Sequence, residues 1–352
     1  MTRPPPPAEL LLGRPEFAGD LRSAALDVAR GRRLLVTGAA GSVGWPLAQV
    51  LVAAEPAALV LVDQHEYSLF KLERALGAVS TTTVELLDIR DARRLAPVFE
   101  RQRPEVVFHL AATKHVPYGE RFPEEAVTTN VLATADVLEL ARTHAVRTLV
   151  YPSSDKSVEP PSLYGATKRL AEALVQSAAG TRCWCVVRFV NIVGTRGSVI
   201  ETFTDQIQAD GPLSVTDRRM TRYWISMDEA LWSLLSAAAS ATSGEVVMPA
   251  CGDAVPLLET ARRLAGWYRP ERVPYPITCT GIRPGERLHE VLLSAHEAFG
   301  ESPASGLRAV RRTHPMPFEP LPGLVQRLRE LVSAGEREAL AAACLRAARE
   351  LQ

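Results

Sequence analysis

The chain has 352 residues, and its 40 lysine and arginine residues balance 40 aspartate and glutamate residues. A balanced charge provides no field that would attract nucleic acid or an anionic membrane. Apolar residues make up 47% of the chain, a globular proportion that excludes disorder over most of its length. No apolar run approaches the roughly 18 residues needed to span a bilayer, and the start MTRPPPPAEL lacks a secretory signal. We therefore expect a soluble, cytoplasmic protein without membrane or nucleic-acid partners.

From Arg32 onward, short apolar runs alternate with amphipathic segments. The predicted strands are, in order, RRLLVTG, ALVLVD, TTTVELLD, VVFHLAA, RTLVYPSS and CWCVVRFVNIVG. The predicted helices are Trp45–Ala54, YSLFKLERALG, DARRLAPVFERQ, Pro123–His144 and SLYGATKRLAEALVQSAAG. Such alternation predicts an α/β fold with a doubly wound parallel sheet covered on both faces. After about residue 194 the alternation decays, and we expect a smaller substrate-binding region over the carboxyl ends of the strands.

A glycine-rich stretch, Gly38-Ala-Ala-Gly41-Ser-Val-Gly44, follows the first strand and opens a helix. Glycines let backbone amides approach a pyrophosphate, and the helix N-terminus favours its negative charge. Three glycines alone are weak evidence, because an α/β fold without a nucleotide also carries loop glycines. The context strengthens the interpretation, since Asp63 ends the second strand about twenty residues later, where an acid bonds the adenosine ribose.

We likewise expect the end of the third strand to contact the adenine edge and the end of the fourth strand to lie beside the pyrophosphate. The predicted cofactor contacts outside the catalytic helix are Gly38, Ala40, Gly41, Ser42, Val43, Gly44, Asp63, Asp88, Ile89, Ala111 and Ala112. A carboxylate repels a 2′-phosphate, so Asp63 slightly favours NAD over NADP. NADP stays open, because Arg90, Arg93 or Lys71 is within reach of such a phosphate.

The cofactor motif and the decay of the pattern divide the chain into four parts. We assign residues 1–30 to an N-terminal extension, 31–194 to an NAD(P)-binding Rossmann domain, 195–315 mainly to the substrate-binding region, and 316–352 to a C-terminal helical tail. The chain is free to cross back to the sheet after residue 194. The five cysteines show no CxxC or Cys/His ligand spacing, so we expect no metal site.

Tyr164 and Lys168 lie four residues apart at the start of a predicted helix, which places them on one face. A lysine ammonium beside an oxidised nicotinamide would lower the pKa of the phenol, so that Tyr164 takes a hydroxyl proton while hydride leaves the carbon. Both residues are therefore also predicted cofactor contacts. The preceding strand ends in Ser153-Ser154, and this arrangement resembles that of extended short-chain dehydrogenases, whose serine or threonine here bonds the same hydroxyl.

An acid and a base, Asp155 and Lys156, directly follow that strand end. A simple 4-epimerase needs only the tyrosine, the lysine and a hydroxyl donor, so the pair indicates a further step. Oxidation at sugar C4 acidifies the C5 proton, which a neutral Lys156 would remove if burial and Lys168 lower its pKa. Protonated Asp155 would supply the proton with which the C6 hydroxyl leaves as water, and hydride would return to C6. The alternative is a solvated charged loop.

Nine stretches of the chain carry a more specific resemblance. They are LLGRPEF, LLVTGAAGSVG, VDQHEYSLFKLERAL, DIRDARRL, RPEVVFHLAATKHVP, SSDKSVEPPSLYGATKRLAEALV, VVRFVNIVGTRGSVI, SVTDRRMTRYWISMDEA and TGIRPGERLHEVLL. From about Leu10 to Pro315 the chain resembles the CapD-like polysaccharide-biosynthesis proteins, the inverting UDP-N-acetylglucosamine 4,6-dehydratases. LLGRPEF resembles the segment before the catalytic domain of membrane-anchored large forms. No membrane segment precedes it here, so we expect a soluble version.

The resemblance implies a reaction and its residues. A tightly bound NAD or NADP is regenerated each turnover, and the substrate is a UDP-sugar. We also expect a homo-oligomer, for which Pro123–His144 and the SLYGATKRLAEALV helix are the candidate contacts. The implied catalytic residues are Ser154, Asp155, Lys156, Tyr164 and Lys168. The implied substrate contacts are Lys114 and His115 beside the sugar, Asn191 facing the substrate, and Arg222 and Arg283 near the diphosphate, whose charge the arginine fork suits.

Several positions depart from the family pattern near the predicted sugar pocket. They include Thr113, the Tyr118-Gly119 pair and Val190. These departures leave the exact sugar open while the redox and elimination groups are intact. A nucleotide-sugar 4-epimerase, a dehydratase for another sugar and a catalytically silent cofactor-binding scaffold are the alternatives.

Overall fold

The computed structural model describes residues 3–17, 19–302, 304–314 and 321–352. Its strands are β1 (Arg33–Thr37), β2 (Ala58–Asp63), β3 (Thr82–Leu86), β4 (Val106–His109), β5 (Thr148–Ser154), β6 (Cys183–Phe189), β7 (Asn191–Ile192), β8 (Leu213–Val215), β9 (Thr221–Arg222), β10 (Trp224–Ile225), β11 (Val246–Pro249), β12 (Val255–Pro256), β13 (Ile277–Cys279), β14 (Glu297–Gly300) and β15 (Leu307–Arg312). Its α-helices are α1 (Ala8–Leu12), α2 (Leu21–Ala29), α3 (Gly44–Val52), α4 (Glu66–Leu76), α5 (Ala92–Gln102), α6 (Val116–Arg121), α7 (Pro123–Val127), α8 (Ala133–Thr143), α9 (Leu163–Ala179), α10 (Val199–Gln208), α11 (Met227–Ser240), α12 (Leu257–Tyr268), α13 (Leu321–Ala334) and α14 (Arg337–Glu350). The predicted domain limits at residues 1, 315 and 316 lie outside the described residues.

A nine-stranded sheet organises the chain, in the order β14-β15-β11-β6-β5-β4-β1-β2-β3. The strands from β11 to β3 are parallel, whereas β15 and β14 add an antiparallel edge. Leu34, Leu35 and Val36 of β1 are fully buried because helices cover both faces of the sheet. The doubly wound prediction is confirmed. The order reverses between β1 and β4, which places a ligand crevice at the carboxyl ends of these strands.

Two predicted elements differ from the structure. The sixth predicted strand ends at Phe189, and Asn191–Ile192 instead pairs with Trp224–Ile225 in the smaller region. The predicted helix Pro123–His144 contains a π-helical segment at Thr128–Leu132 between α7 and α8. Such wide turns recur at functional sites, and this one carries the buried Asn130. Tertiary contacts, which periodicity does not report, decide both features.

The smaller region has its own apolar core, to which the N-terminal segment contributes. Leu11 and Leu12 pack there with buried residues of α10 and α12. Arg14 pairs with the buried Glu229 of α11 at 2.6 Å. The chain also returns to the large sheet through β11, β14 and β15. The four-part domain division stays a prediction.

The two C-terminal helices cover the face on which we expected a partner subunit. Leu328 and Leu340, both buried, pack with Val131 of the π-helical segment and with Leu163 and Leu170 of α9. These residues are therefore covered within the chain, whereas Glu139 and Arg142 of α8 stay exposed. A homo-oligomer, with these helices as its candidate contacts, stays a prediction. Among the described residues, no helix combines the length and hydrophobicity that a bilayer crossing requires.

Candidate active site

The glycine-rich turn after β1 is packed so closely that side chains are excluded from it. Gly38 has a φ of +66°, and an added Cβ would lie 2.7 Å from the main-chain nitrogen of Ala111. At Gly44, an added Cβ would lie 2.2 Å from the carbonyl oxygen of Gly38. Gly44 also begins α3, whose N-terminus faces this turn. The turn therefore has the close approach and the helix terminus that a pyrophosphate requires.

Two predicted cofactor acids end or follow neighbouring strands. Asp63 accepts hydrogen bonds from the main-chain amides of Ala40 and His65, each at 2.9 Å. This contact ties the end of β2 to the glycine-rich turn. Asp88 is held by Arg90, whose Nε donates to it at 2.7 Å, and the same guanidinium pairs with a carboxylate of α7. Two carboxylates thus engage Arg90, which weakens its candidacy as a 2′-phosphate ligand.

The remaining predicted cofactor contacts lie in the glycine-rich turn or follow β3 and β4. The main-chain N–H of Ala111 donates to Thr37 Oγ1 at 3.2 Å, and Ala112 is exposed beside it. Ile89 is buried in the main apolar core, so its side chain is not exposed to a ligand. Ser42 and Val43 lie in the turn, Val43 directly before α3.

A residue that the sequence analysis did not single out spans this turn from the smaller region. The main-chain N–H of Arg196 donates to Ser42 Oγ at 3.0 Å, and its guanidinium donates to the carbonyl of Ala40 and to Ser68 Oγ. Lys114 in turn donates to the carbonyl of Arg196. This arginine therefore connects the glycine-rich turn and α4 to the loop of Lys114 and His115. We call that loop the predicted sugar loop, because its residues are predicted to contact the sugar.

The catalytic turn begins where β5 ends. Ser154 caps a short 3₁₀ turn and donates from Oγ to Asp155 Oδ1 at 2.9 Å. Lys156 Nζ donates to the same oxygen at 3.0 Å. Gly165, in the first turn of α9, brings its backbone against this turn, since an added Cβ would lie 2.1 Å from the Lys156 carbonyl oxygen. The contact fixes Tyr164 beside the turn.

Tyr164 is 8% exposed, and its phenol faces the catalytic turn. Burial raises the pKa of Tyr164, while the Lys156 charge and a hydrogen bond with Ser154 lower it. Lys168 Nζ instead donates to Tyr151 Oη at 2.8 Å and to the Pro152 carbonyl at 2.6 Å. Burial lowers the pKa of Lys168 to about 7. The charge that acts on the phenol in this structure is that of Lys156, and the role of Lys168 beside a bound nicotinamide stays a prediction.

Lys156 lies in a buried charge cluster that the sequence analysis did not foresee. Its Nζ is 3.0 Å from Asp155 Oδ1 and 3.3 Å from Glu290 Oε1. Burial alone would lower the pKa of Lys156, but these two carboxylates outweigh it and raise the pKa above its ordinary value. The expected lowering of the Lys156 pKa is wrong, because two anions contact the amine and Lys168 instead contacts Tyr151 and Pro152.

The predicted substrate residues divide into two groups. Arg222 joins the cluster, with Nε 3.7 Å from Glu290 Oε1 and Nη1 donating to the carbonyls of Thr221 and Leu288. Arg283, by contrast, is exposed on a loop. The structure does not bring Arg283 into contact with the other predicted residues that it describes.

Hydrogen bonds from Asn130 of the π-helical segment hold the start of the predicted sugar loop in place. Asn130 Oδ1 accepts from the Thr113 amide at 2.9 Å, and its Nδ2 donates to the Thr113 carbonyl and to Thr167 of α9. Lys114 and His115 follow at the exposed end of the loop. Burial lowers the pKa of both, and each also faces a neighbouring positive charge. Asn191 is placed by its side chain, which donates to the Tyr223 carbonyl at 3.1 Å.

The small number of lysines in the composition is a feature from which the location of the site could have been predicted. Only four of the 40 basic residues are lysines, and three of them, Lys114, Lys156 and Lys168, lie around the crevice. Arginine does not release its proton in proteins, so a lysine retained in an arginine-rich chain indicates a position that needs a titratable or compact amine. Glu290 and Arg196 carried no comparable signal.

The sheet order, the glycine-rich turn and the tyrosine–lysine helix define an extended short-chain dehydrogenase fold. Solved structures share it: Pen from Bacillus thuringiensis has a TM-score of 0.73 at 28% identity, covering 80% of this chain and 89% of that one. A dTDP-glucose 4,6-dehydratase from Streptomyces venezuelae has a TM-score of 0.66 at 22% identity, covering 74% and 88%. Residues 34–310 match the family described as "Polysaccharide biosynthesis protein". The chain belongs to this family.

Curated relatives include nucleotide-sugar dehydratases and epimerases. The probable polysaccharide biosynthesis protein EpsC of Bacillus subtilis is 36% identical over 84% of this chain and 50% of its own length. An inverting UDP-N-acetylglucosamine 4,6-dehydratase of Campylobacter jejuni is 31% identical over 76% and 79%. A UDP-glucose 4-epimerase of Rickettsia canadensis is 31% identical over the same shares. The chain spans about half the length of the first of these relatives.

Proposed function

We propose that this chain is a nucleotide-sugar 4,6-dehydratase that acts on UDP-N-acetylglucosamine and inverts C5. The observation that carries the proposal is the state of Asp155, which is fully buried and whose Oδ2 has no hydrogen-bond partner among the described residues. A buried carboxyl oxygen without a partner costs free energy, so such a group favours a ligand that completes it. The C6 hydroxyl of a sugar held at Tyr164 would be that partner.

The crevice fits a nicotinamide dinucleotide. The close packing at Gly38 and Gly44 supports a pyrophosphate at this turn. Asp63, which accepts a hydrogen bond from the Ala40 amide, would contact the adenosine ribose. When bound, a nicotinamide dinucleotide would supply the hydride chemistry, namely oxidation at C4 and reduction at C6. We favour NAD, because Asp63 repels a 2′-phosphate and Arg90 is engaged by other carboxylates.

The side chains then divide the proton transfers. Tyr164 takes the C4 hydroxyl proton, with Ser154 beside it, and Tyr164→Phe should slow this oxidation by about a hundred- to ten-thousand-fold. Lys156, after losing its own proton, takes the proton from C5. The electrons of the broken C5–H bond form C5=C6 as the C6–O bond breaks, and Asp155 protonates the departing hydroxyl. A proton returned to C5 and a hydride at C6 complete the loss of one water.

We further propose that Lys114, His115 and Asn191 contact the sugar and that Arg222 and Arg283 contact the diphosphate. Arg222 is already committed to Glu290 and two carbonyls, so a diphosphate would have to engage its remaining nitrogen. Arg283 is exposed and free to turn toward a ligand.

A nucleotide-sugar 4-epimerase is the second candidate, favoured by the identity to the Rickettsia epimerase. Mass spectrometry of incubations with UDP-N-acetylglucosamine and a panel of other nucleotide sugars separates the two. A product lighter by one water supports dehydration. A same-mass isomer supports epimerisation, and no change in any sugar supports a silent scaffold.

A further inference from the structure

Glu290 is a buried acid in the irregular segment between β13 and β14. Its side chain is 3% exposed, and its Oε1 lies 3.3 Å from Lys156 Nζ and 3.7 Å from Arg222 Nε. A carboxylate this buried is retained only where its partners compensate for its desolvation. Its two partners are the predicted base and a predicted substrate ligand.

Four groups face Lys156 from four parts of the chain. Asp155 comes from the same turn, Glu290 from the loop, Arg222 from β9 and Tyr164 from α9. Asp155 Oδ1 also accepts the Ser154 hydroxyl, so its charge is shared. Glu290 is therefore the anion that completes the surroundings of the amine. It reaches Lys156 from a different segment of the chain, so it fixes the direction of Nζ as well as its charge.

We propose that Glu290 is a positioning residue that sets the proton affinity of Lys156. The inference rests on the proposed function, in which Lys156 becomes an ammonium as it takes the C5 proton. An anion held at hydrogen-bond distance stabilises that ammonium as it forms, which makes Lys156 a stronger base. The same anion keeps the resting amine protonated, so elimination should accelerate as the pH rises.

A chemical measurement tests this without substrate. Trace acetylation followed by peptide mass spectrometry, repeated over a pH series, gives the titration midpoint of each lysine, and exposed Lys71 on α4 is the internal reference. Glu290→Gln should lower the Lys156 midpoint by at least about one pH unit, which is a tenfold faster labelling below the midpoint. Glu290→Asp should restore most of the difference. If the substitution only loosened the loop of Glu290, more Lys156 would be labelled by the end of the reaction, but the titration midpoint of Lys156 would not change.

The reaction supplies the second arm. In Glu290→Gln, the rise of the elimination rate with pH should begin at least about one unit lower, and the rate at high pH should be smaller because the base is weaker. An unchanged Lys156 midpoint in Glu290→Gln, with the protein folded, would overturn the proposal. A shifted midpoint in a protein that dehydrates no nucleotide sugar would support the Glu290–Lys156 pairing and reject the proposed function instead.

Discussion

Replacing Lys156 by methionine and by arginine separates the charge of the side chain from its proton exchange. Methionine removes the ammonium and leaves Asp155 and Glu290, 0% and 3% exposed, without their shared cation. Removing one partner of a buried ion pair costs about 3–5 kcal/mol. Because Lys156 is itself 21% exposed, we expect the lower end, about 3 kcal/mol of the free energy of unfolding, measured by urea denaturation at neutral pH.

Arginine is the matched control because it keeps the positive charge but does not release a proton. Lys156→Arg should lie within about 1 kcal/mol of the parent in stability. With substrate it should still reduce the bound nicotinamide, seen by absorbance, but eliminate water about a hundred- to ten-thousand-fold more slowly. A 4-keto sugar that retains its water should accumulate.

Two results would refute this reasoning. Full stability of Lys156→Met would mean that the buried charge cluster does not form as described. Dehydration at the parent rate by Lys156→Arg would mean that Lys156 is not the base, and that the elimination groups lie elsewhere.

Three further predictions concern other parts of the crevice. Gly165→Ala places a Cβ 2.1 Å from the Lys156 carbonyl oxygen, so it should lower both thermal stability and activity. Gly266→Ala is the control, because its added Cβ meets nothing within 4 Å, and it should raise the free energy of unfolding by about 0.4–1 kcal/mol. Arg196→Ala should speed the release of bound cofactor, followed by fluorescence of the reduced nicotinamide during dilution; an unchanged release rate would remove Arg196 from the cofactor site. Burial, aided by the charge of a nearby lysine, lowers the pKa of His109 from 6.5 to about 3, so acid favours the unfolded chain, which alone binds the proton. The free energy of unfolding should fall by roughly 4 kcal/mol from pH 6.5 to pH 3 on this account, and less steeply in His109→Gln.

The sequence predicts those parts of the fold that depend on residues close to one another along the chain. The glycine-rich turn and its helix lie within seven positions of one another, so spacing alone indicates the close approach at Gly38. The parallel sheet follows from apolar strands that alternate with helices. The break after Phe189 and the π-helical segment around Asn130 depend on partners elsewhere in the chain, namely β10 and the sugar loop, and periodicity carries no record of them.

The charge state of the candidate site shows the same limit. Asp155 and Lys156 are adjacent in sequence, so their presence at the strand end is predictable. Glu290 comes from a distant loop and Arg222 from β9, and the sign of the Lys156 pKa shift depends on whether the loop brings its carboxylate to the amine. The cover formed by α13 and α14 is equally remote from the helix that it buries.

The most direct test of the account uses UDP-N-acetylglucosamine that carries deuterium at C4. If oxidation at C4 and reduction at C6 occur on one substrate within one active site, the product lacks one water and carries the deuterium at C6. No reduced cofactor should accumulate in solution. A dehydrated product without deuterium at C6, or reduced cofactor that grows in step with the product, would contradict the internal redox cycle on which the proposed function depends.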